Sequence, residues 1–225
     1  MSTHRSQPTM TELIASLRRR MAARWRHLVA TPDSAQRRLF WGQVHARHPP
    51  FTRALLEDAR FTAARRGERH EYRSQLDAVV QALRLALVTE SFLAQACYRA
   101  KARCQAIGIP LLPRLLNHAA VRFGQIAIGD PVVVEAGVFI PHGQTCIDGI
   151  TVVGSRTVIG PFTTIGLRAG DFIGPTIGRG VAIGTGARVL GPHAIGAGAT
   201  IGANAVVISD VPAGATAVGV PATIR

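Results

Sequence analysis

The feature that most constrains this chain is a period of six. Ile128, Val134 and Ile140 stand six residues apart, Ile147, Val153, Ile159 and Ile165 keep the interval, and Ile177, Ile183, Val189, Ile195, Ile201 and Val207 complete the run. Glycine follows directly at positions 129, 154, 160, 166, 178, 184, 196 and 202, and small residues fill the other inward positions. A repeat of six matches neither the 3.6 of a helix nor the alternation of a strand. It predicts a parallel β-helix, in which short strands joined by tight turns stack one aliphatic side chain per unit. Glycine after each aliphatic residue suits a corner where a side chain would clash or positive φ is wanted. One step is irregular: Ile140 to Ile147 takes seven residues, and the segment IPHGQTCI carries His142. The end of such a stack is exposed and needs a cap.

The preceding residues supply the candidate cap. Between residues 9 and 122 apolar side chains recur at three-to-four spacing, as in Leu13, Ile14, Leu17, Met21, Trp25 and Leu28, which predicts helices. A second helix follows Pro49–Pro50, the longest candidate runs from about Glu71 to Ala106, and LLPRLLNHAAVRF makes a last short one. The expected division is a helical region over 1–123 and a coil over 124–225, an α+β chain whose 225 residues, 47% of them hydrophobic, bury a sizeable core.

Charge follows the same division. The formal net charge is +13, but residues 123–225 hold five basic and five acidic side chains, so the excess lies on the helices. A basic half can track phosphates, yet nearly all of it is arginine suited to solvated helix faces, with no aromatic interleaving, and no nucleic-acid partner is expected. No run of about 18 apolar residues is present, so no membrane span is expected. The N-terminal residues lack an apolar core with a cleavage site, so no signal peptide is expected. Three cysteines, Cys97, Cys104 and Cys146, without metal-ligand spacing fit free thiols in a reducing cytoplasm.

The segments IGPFTTIGLRAG and TIGRGVAIGTGARVLGPHAIGAGATIGANAVVISDVPAGATAVGVPATI resemble the hexapeptide-repeat acyltransferases, and most closely the serine O-acetyltransferase family. The resemblance covers about residues 90–225. It implies an all-α N-terminal region followed by a left-handed parallel β-helix, acetyl-CoA as co-substrate without a metal, and a homotrimer or dimer of trimers with sites between neighbouring coils. The family's general base is a histidine in an early coil, and the matching segment is Ile140–Pro141–His142–Gly143. An imidazole suits that task because its unperturbed pKa lies near operating pH.

Departures from the family are specific. Pro141 stands where the family has aspartate, and Ala127 falls where an upstream aspartate would orient the imidazole. Asp130, Glu135 and Asp148 are the nearby carboxylates, with Asp148 and Asp130 the candidates to fix the ring. The family's Arg-His-Pro loop, which holds the serine carboxylate, is shorter here, and Ile173–Gly174–Pro175 occupy those positions. Arg168 and Asp171 are its only charged residues, the first a candidate for an acceptor carboxylate and the second for an acceptor amine. For CoA the resemblance implies Gly184, Thr185, Gly186, Ala187 and Ala203 along the pantetheine, Arg188 toward the phosphates, and Val220–Pro221 near the adenine. A backbone amide in that groove would steady the oxyanion.

Other classes fare worse. A γ-type carbonic anhydrase needs three zinc histidines, and residues 123–225 contain only His142 and His193. Cys146, four residues past His142, raises a thiol nucleophile, but direct transfer needs no covalent enzyme. The missing Asp and Arg-His keep open a coil that has lost its acceptor site and serves as a scaffold or regulatory subunit.

Overall fold

The structure is a computed structural model and describes residues 34–225; the helix expected over residues 9–30 lies outside them. Two compact units are present, one through Gln43 and the other Val44–Arg225. Helix α1, Ser34–Arg47, crosses the division, and the rest concerns the larger unit.

Helices α2 (Phe51–Arg65), α3 (Gln75–Val88), α4 (Glu90–Ala106) and α5 (Leu112–Gly124) precede fourteen short strands. The long helix expected over residues 71–106 is two helices. Thr89 adopts an extended backbone (φ −141°, ψ 106°), closing α3 and opening α4. Its carbonyl accepts the Leu93 amide, so the break gives α4 its own first turn. Ser74 caps α3 through the Asp77 amide at 3.1 Å. The α3 stripe of Leu76, Val80, Leu83 and Leu87 faces outward, while Ala82 and Leu85 pack with Ala59, Ala63 and Phe92.

From Ile126 onward the strands wind into three parallel faces. Sheet A stacks β1 (Ile126–Ile128), β3 (Thr145–Ile147), β6 (Thr164–Gly166), β9 (Arg188–Leu190) and β12 (Val206–Val207). Sheet B stacks β2 (Val133–Val134), β4 (Val152–Val153), β7 (Thr176–Ile177) and β10 (Ala194–Ile195). Sheet C stacks β5 (Val158–Ile159), β8 (Ala182–Ile183), β11 (Thr200–Ile201) and β13 (Thr216–Gly219), and β14 (Ala222–Ile224) folds back antiparallel to close it.

Register puts the six-residue repeat directly into the core. Ile128, Ile147, Ile165, Val189 and Val207 are in line on sheet A. Val134, Val153, Ile177 and Ile195 stack on B, and Ile159, Ile183 and Ile201 on C, none of these more than 4% exposed. Each such burial contributes roughly 1.5–3 kcal/mol. Of the two reasons expected for glycine after the aliphatic residue, close approach is the one observed. A Cβ at Gly160 would lie 2.7 Å from the Thr185 amide nitrogen, and one at Gly184 2.6 Å from that of Ala203.

The first coil has no coil before it, and α4 takes that place. Gln95 Nε2 donates to the Val138 carbonyl at 2.8 Å, the Tyr98 hydroxyl to Val132 at 2.8 Å, and Ser91 Oγ to Pro141 at 3.2 Å. Arg99 donates to the Val134 and Glu135 carbonyls and pairs with Asp58 of α2 at 2.8 Å. Asp58, fully buried, also accepts the Gly137 and Val138 amides at 2.8 and 3.1 Å.

Replacing Arg99 with Met would strand the Asp58 carboxylate in the interior, and removing one partner of a buried pair costs about 3–5 kcal/mol. Urea unfolding of Arg99→Met should show a loss of that order; a change near zero would mean the pair does not clamp helix to coil. His48, whose ring lies 6.1 Å from that of Tyr98, gives a second outcome. Burial first, then the charges of Arg99, His45, Lys101 and Arg47, push its imidazole down to about 4. The unfolded chain takes up a proton near 6.5 that the folded one refuses, so stability is complete above pH 6.5 and falls as pH drops toward 4. His48→Gln should flatten that fall by on the order of 2 kcal/mol, read as the difference between urea midpoints at pH 7 and pH 4.5.

Candidate functional site

The corner leading from sheet C to sheet A recurs at four levels. It is built by residues 141–145, then 160–163, 184–187 and 202–205. The levels are tied by backbone bonds: Gly186 donates to the Pro161 carbonyl at 2.9 Å and Asn204 to Thr185 at 2.8 Å. His142 therefore shares one edge of the prism with Gly184, Thr185, Gly186 and Ala203. His142, Thr185 and Ala203 are exposed, and Gly184 and Gly186 partly so.

The seven-residue step is a local bulge at the first of these levels. Phe139 pairs with Val158 and Cys146 with Thr164, yet six residues lie between Phe139 and Cys146 and only five between Val158 and Thr164. The end of α5 explains the extra length. Gln125 leaves that helix in the left-handed region (φ 53°), and its carbonyl accepts the Gln144 and Thr145 amides at 2.7 and 3.2 Å. The corner has to bow around the helix end to make these bonds. Gly143 passes so close that a Cβ there would lie 2.2 Å from the Gly124 carbonyl oxygen. With Ser91 holding the Pro141 carbonyl, the backbone is fixed on both sides of His142, and the imidazole is left at the surface. Ser91, Gly124 and Gln125 were not singled out in the sequence, where a polar residue near a helix start carries no signal of what it will meet.

The expected orienting carboxylates lie elsewhere. Asp130 and Asp148 belong to the corner from sheet A to sheet B, at the far end of β1 and β3 from His142. Asp130 pairs with Lys101 at 2.9 Å, and Asp148 Oδ1 accepts the Gly149 amide at 2.7 Å. Glu135 accepts the Ser155 amide at the sheet B to sheet C corner. Among the described residues, no carboxylate reaches the His142 ring.

Arg168 and Asp171 sit in the loop that replaces the sheet A to sheet B corner at the third level. Asp171 Oδ1 accepts the Ile173 amide at 3.0 Å and the Asp171 amide donates to the Arg168 carbonyl, so both charges belong to one tight turn. The Arg168 stem lies over Gly191 beside His193. In a single chain, sheet A separates this edge from the His142 edge.

Two of the CoA candidates differ from the rest in where their side chains lie. Ala187 is fully buried and belongs to the inward series of Thr157, Thr163, Val181, Ala199 and Ala205, so its methyl group fills the coil and does not line a groove. Arg188 turns back on its own edge, its Nη1 donating to the Phe162 and Gly186 carbonyls at 2.6 and 2.7 Å, which holds that nitrogen away from a phosphate. Phe162, 54% exposed between the levels of His142 and Thr185, is an apolar surface that the sequence did not mark. Val220 and Pro221 form the exposed turn between β13 and β14. Cys146 is exposed on sheet A, and desolvation, then the Asp148 charge, push its thiol up, away from the thiolate a nucleophile needs. Among the described residues, no three His, Cys, Asp or Glu side chains cluster as metal ligands, and no helix is long and apolar enough to cross a membrane.

No family model matches the chain. It is 38% identical over 130 residues to the serine acetyltransferase of Helicobacter pylori strain J99, covering 56% of this chain and 75% of that one. It is 42% identical over 128 residues to the serine acetyltransferase of Synechocystis, covering 55% of this chain and 51% of the other, so it spans about half of that relative. Among solved structures, a serine acetyltransferase in complex with CoA superposes with a TM-score of 0.61 at 26% identity, over 76% of this chain and 68% of that one. The helices followed by a left-handed parallel β-helix are the architecture of these neighbours. On the identity and coverage of these relatives, with the same fold beneath them, the chain belongs to the serine acetyltransferase family.

Proposed function

We propose that the protein transfers an acetyl group directly from acetyl-CoA to a small hydroxyl or amine acceptor, L-serine first among the candidates, with His142 as general base. The observation that carries this reading is the shared edge: an exposed imidazole on a fixed backbone heads a row of small residues continuing through Gly160, Gly184–Gly186 and Ala203. Small residues let an extended pantetheine lie against the backbone. The imidazole takes the acceptor proton as the acceptor oxygen or nitrogen attacks the thioester carbonyl. The tetrahedral intermediate then expels the CoA sulfur, and the proton returns from the imidazolium to it. The relative solved with CoA supports the co-substrate.

A trimer supports the rest of the site. Arg168, Asp171 and Asp148 stand across sheet A from His142 in one chain, so a neighbouring copy presenting that edge brings acceptor-binding charge to the base. In this division of labour residues 124–225 carry the chemistry, and α4, with Asp58 of α2, caps the coil. The free thiols of Cys97, Cys104 and Cys146 fit the cytoplasm as the compartment. One observation favours a second reading, a scaffold or regulatory coil: no described carboxylate orients His142.

Thiol release from acetyl-CoA, measured with serine and a panel of hydroxy and amino acids, separates the two. An enzyme releases CoA with at least one acceptor, and His142→Ala lowers kcat by about 10²–10⁴ while CoA still binds. A folded protein that turns over with none of them, or a His142→Ala variant with undiminished rate, contradicts the proposal. Gly143→Ala tests the positioning. Its methyl group must displace the corner from Gly124, and a shift of about 1 Å costs about 100-fold in kcat, with KM for acetyl-CoA little changed.

A further inference from the structure

The chain contains a single lysine, and it is buried. Lys101 lies on α4 beneath a cleft of about 260 Å³, between α4, α5 and the first sheet A to sheet B corner. Its three protons are all used: Nζ donates to the Ile128 carbonyl, to Asn117 Oδ1 at 3.2 Å and to Asp130 at 2.9 Å. The lysine is thus a neutralised floor and not itself a ligand group.

Two consequences follow for the walls. A lysine only donates, so Asn117 must present its oxygen to Lys101 and its NH₂ group elsewhere. Asp130 has its charge balanced by Lys101 and is further held by a hydrogen bond from Gln105. The remaining donors are the Arg114 guanidinium and the His118 imidazole, both exposed on α5. They stand with Asn117 at positions i, i+3 and i+4, one face of the helix. The cleft therefore combines a guanidinium, an imidazole and an oriented amide over an internally compensated ion pair.

We propose that this cleft binds a small dianion of the carboxylate or phosphate type, with Arg114 as its main contact and Asn117 as a second donor. Its volume is below the roughly 300–1,000 Å³ of pockets for larger ligands, which selects a small molecule. A guanidinium fork matches either anion in bidentate fashion. The site is separate from the acyl-transfer edge: the cleft borders one end of β1 and the His142 corner packs on residues at the other.

Calorimetric titration of the full chain with inorganic phosphate and, separately, with succinate at fixed ionic strength tests this. At least one should bind saturably with one site per chain, and the arm that binds identifies the anion. Arg114→Ala should weaken that binding at least tenfold. Asn117→Asp should abolish it, since the aspartate still accepts from Lys101 but replaces a donor with a charge of the wrong sign; an unchanged melting temperature shows that the fold survives. Arg122→Ala on the same helix and His142→Ala should leave affinity unchanged. Absence of saturable binding in both arms, or equal affinity in Arg114→Ala, overturns the proposal.

Discussion

The fold depends on the fate of six carbonyls. In this parallel coil each turn's carbonyls accept amides of the turn before, and the first turn has none before it. Ile128, Val132, Val134, Glu135, Val138 and Pro141 would leave their oxygens unpaired at the open end, and buried backbone acceptors without partners cost free energy comparable to a lost hydrogen bond. Helix α4 meets all six with Lys101, Tyr98, Arg99, Gln95 and Ser91. An edge that would recruit another strand is thereby closed. Asp58 reaches in from α2 to balance Arg99 and to accept two amides of the same coil.

The same closure positions the candidate base. Because α5 runs directly into β1, its last residues crowd the corner where the first coil turns back to sheet A, and the corner lengthens by one residue to pass. That residue count, and not a property of histidine, makes the bulge; histidine occupies the place where the bulge meets solvent. Ser91 from the cap and Gly124–Gln125 from the helix end hold the backbone on either side. The cap and the candidate base are thus parts of one arrangement.

Much of this was legible in the sequence, and the rest was hidden for identifiable reasons. Every aliphatic residue of the six-residue series is in the core, because nothing competes with burial in a coil one side chain wide. The seven-residue step marked the bulge correctly. The arginines of the helical half, Arg99 among them, read as solvated faces, since spacing alone does not distinguish water from an array of carbonyls. Thr89 was invisible because the apolar period continues across it from Leu85 to Phe92. Ala187 and Gly186 are adjacent and chemically alike, so only the corner geometry shows that one is inward and the other on the edge. Carboxylates near His142 in sequence belong to the other two corners, a displacement that follows from three faces to a turn.

Whether this edge is the acyl-CoA track is decided most directly by determining the structure of the protein with CoA bound. The account predicts pantetheine running along the backbone of residues 160–162, 184–186 and 202–204, with the sulfur beside His142 and Phe162 against the arm. CoA bound along the sheet A to sheet B edge, with its sulfur remote from His142, would contradict it.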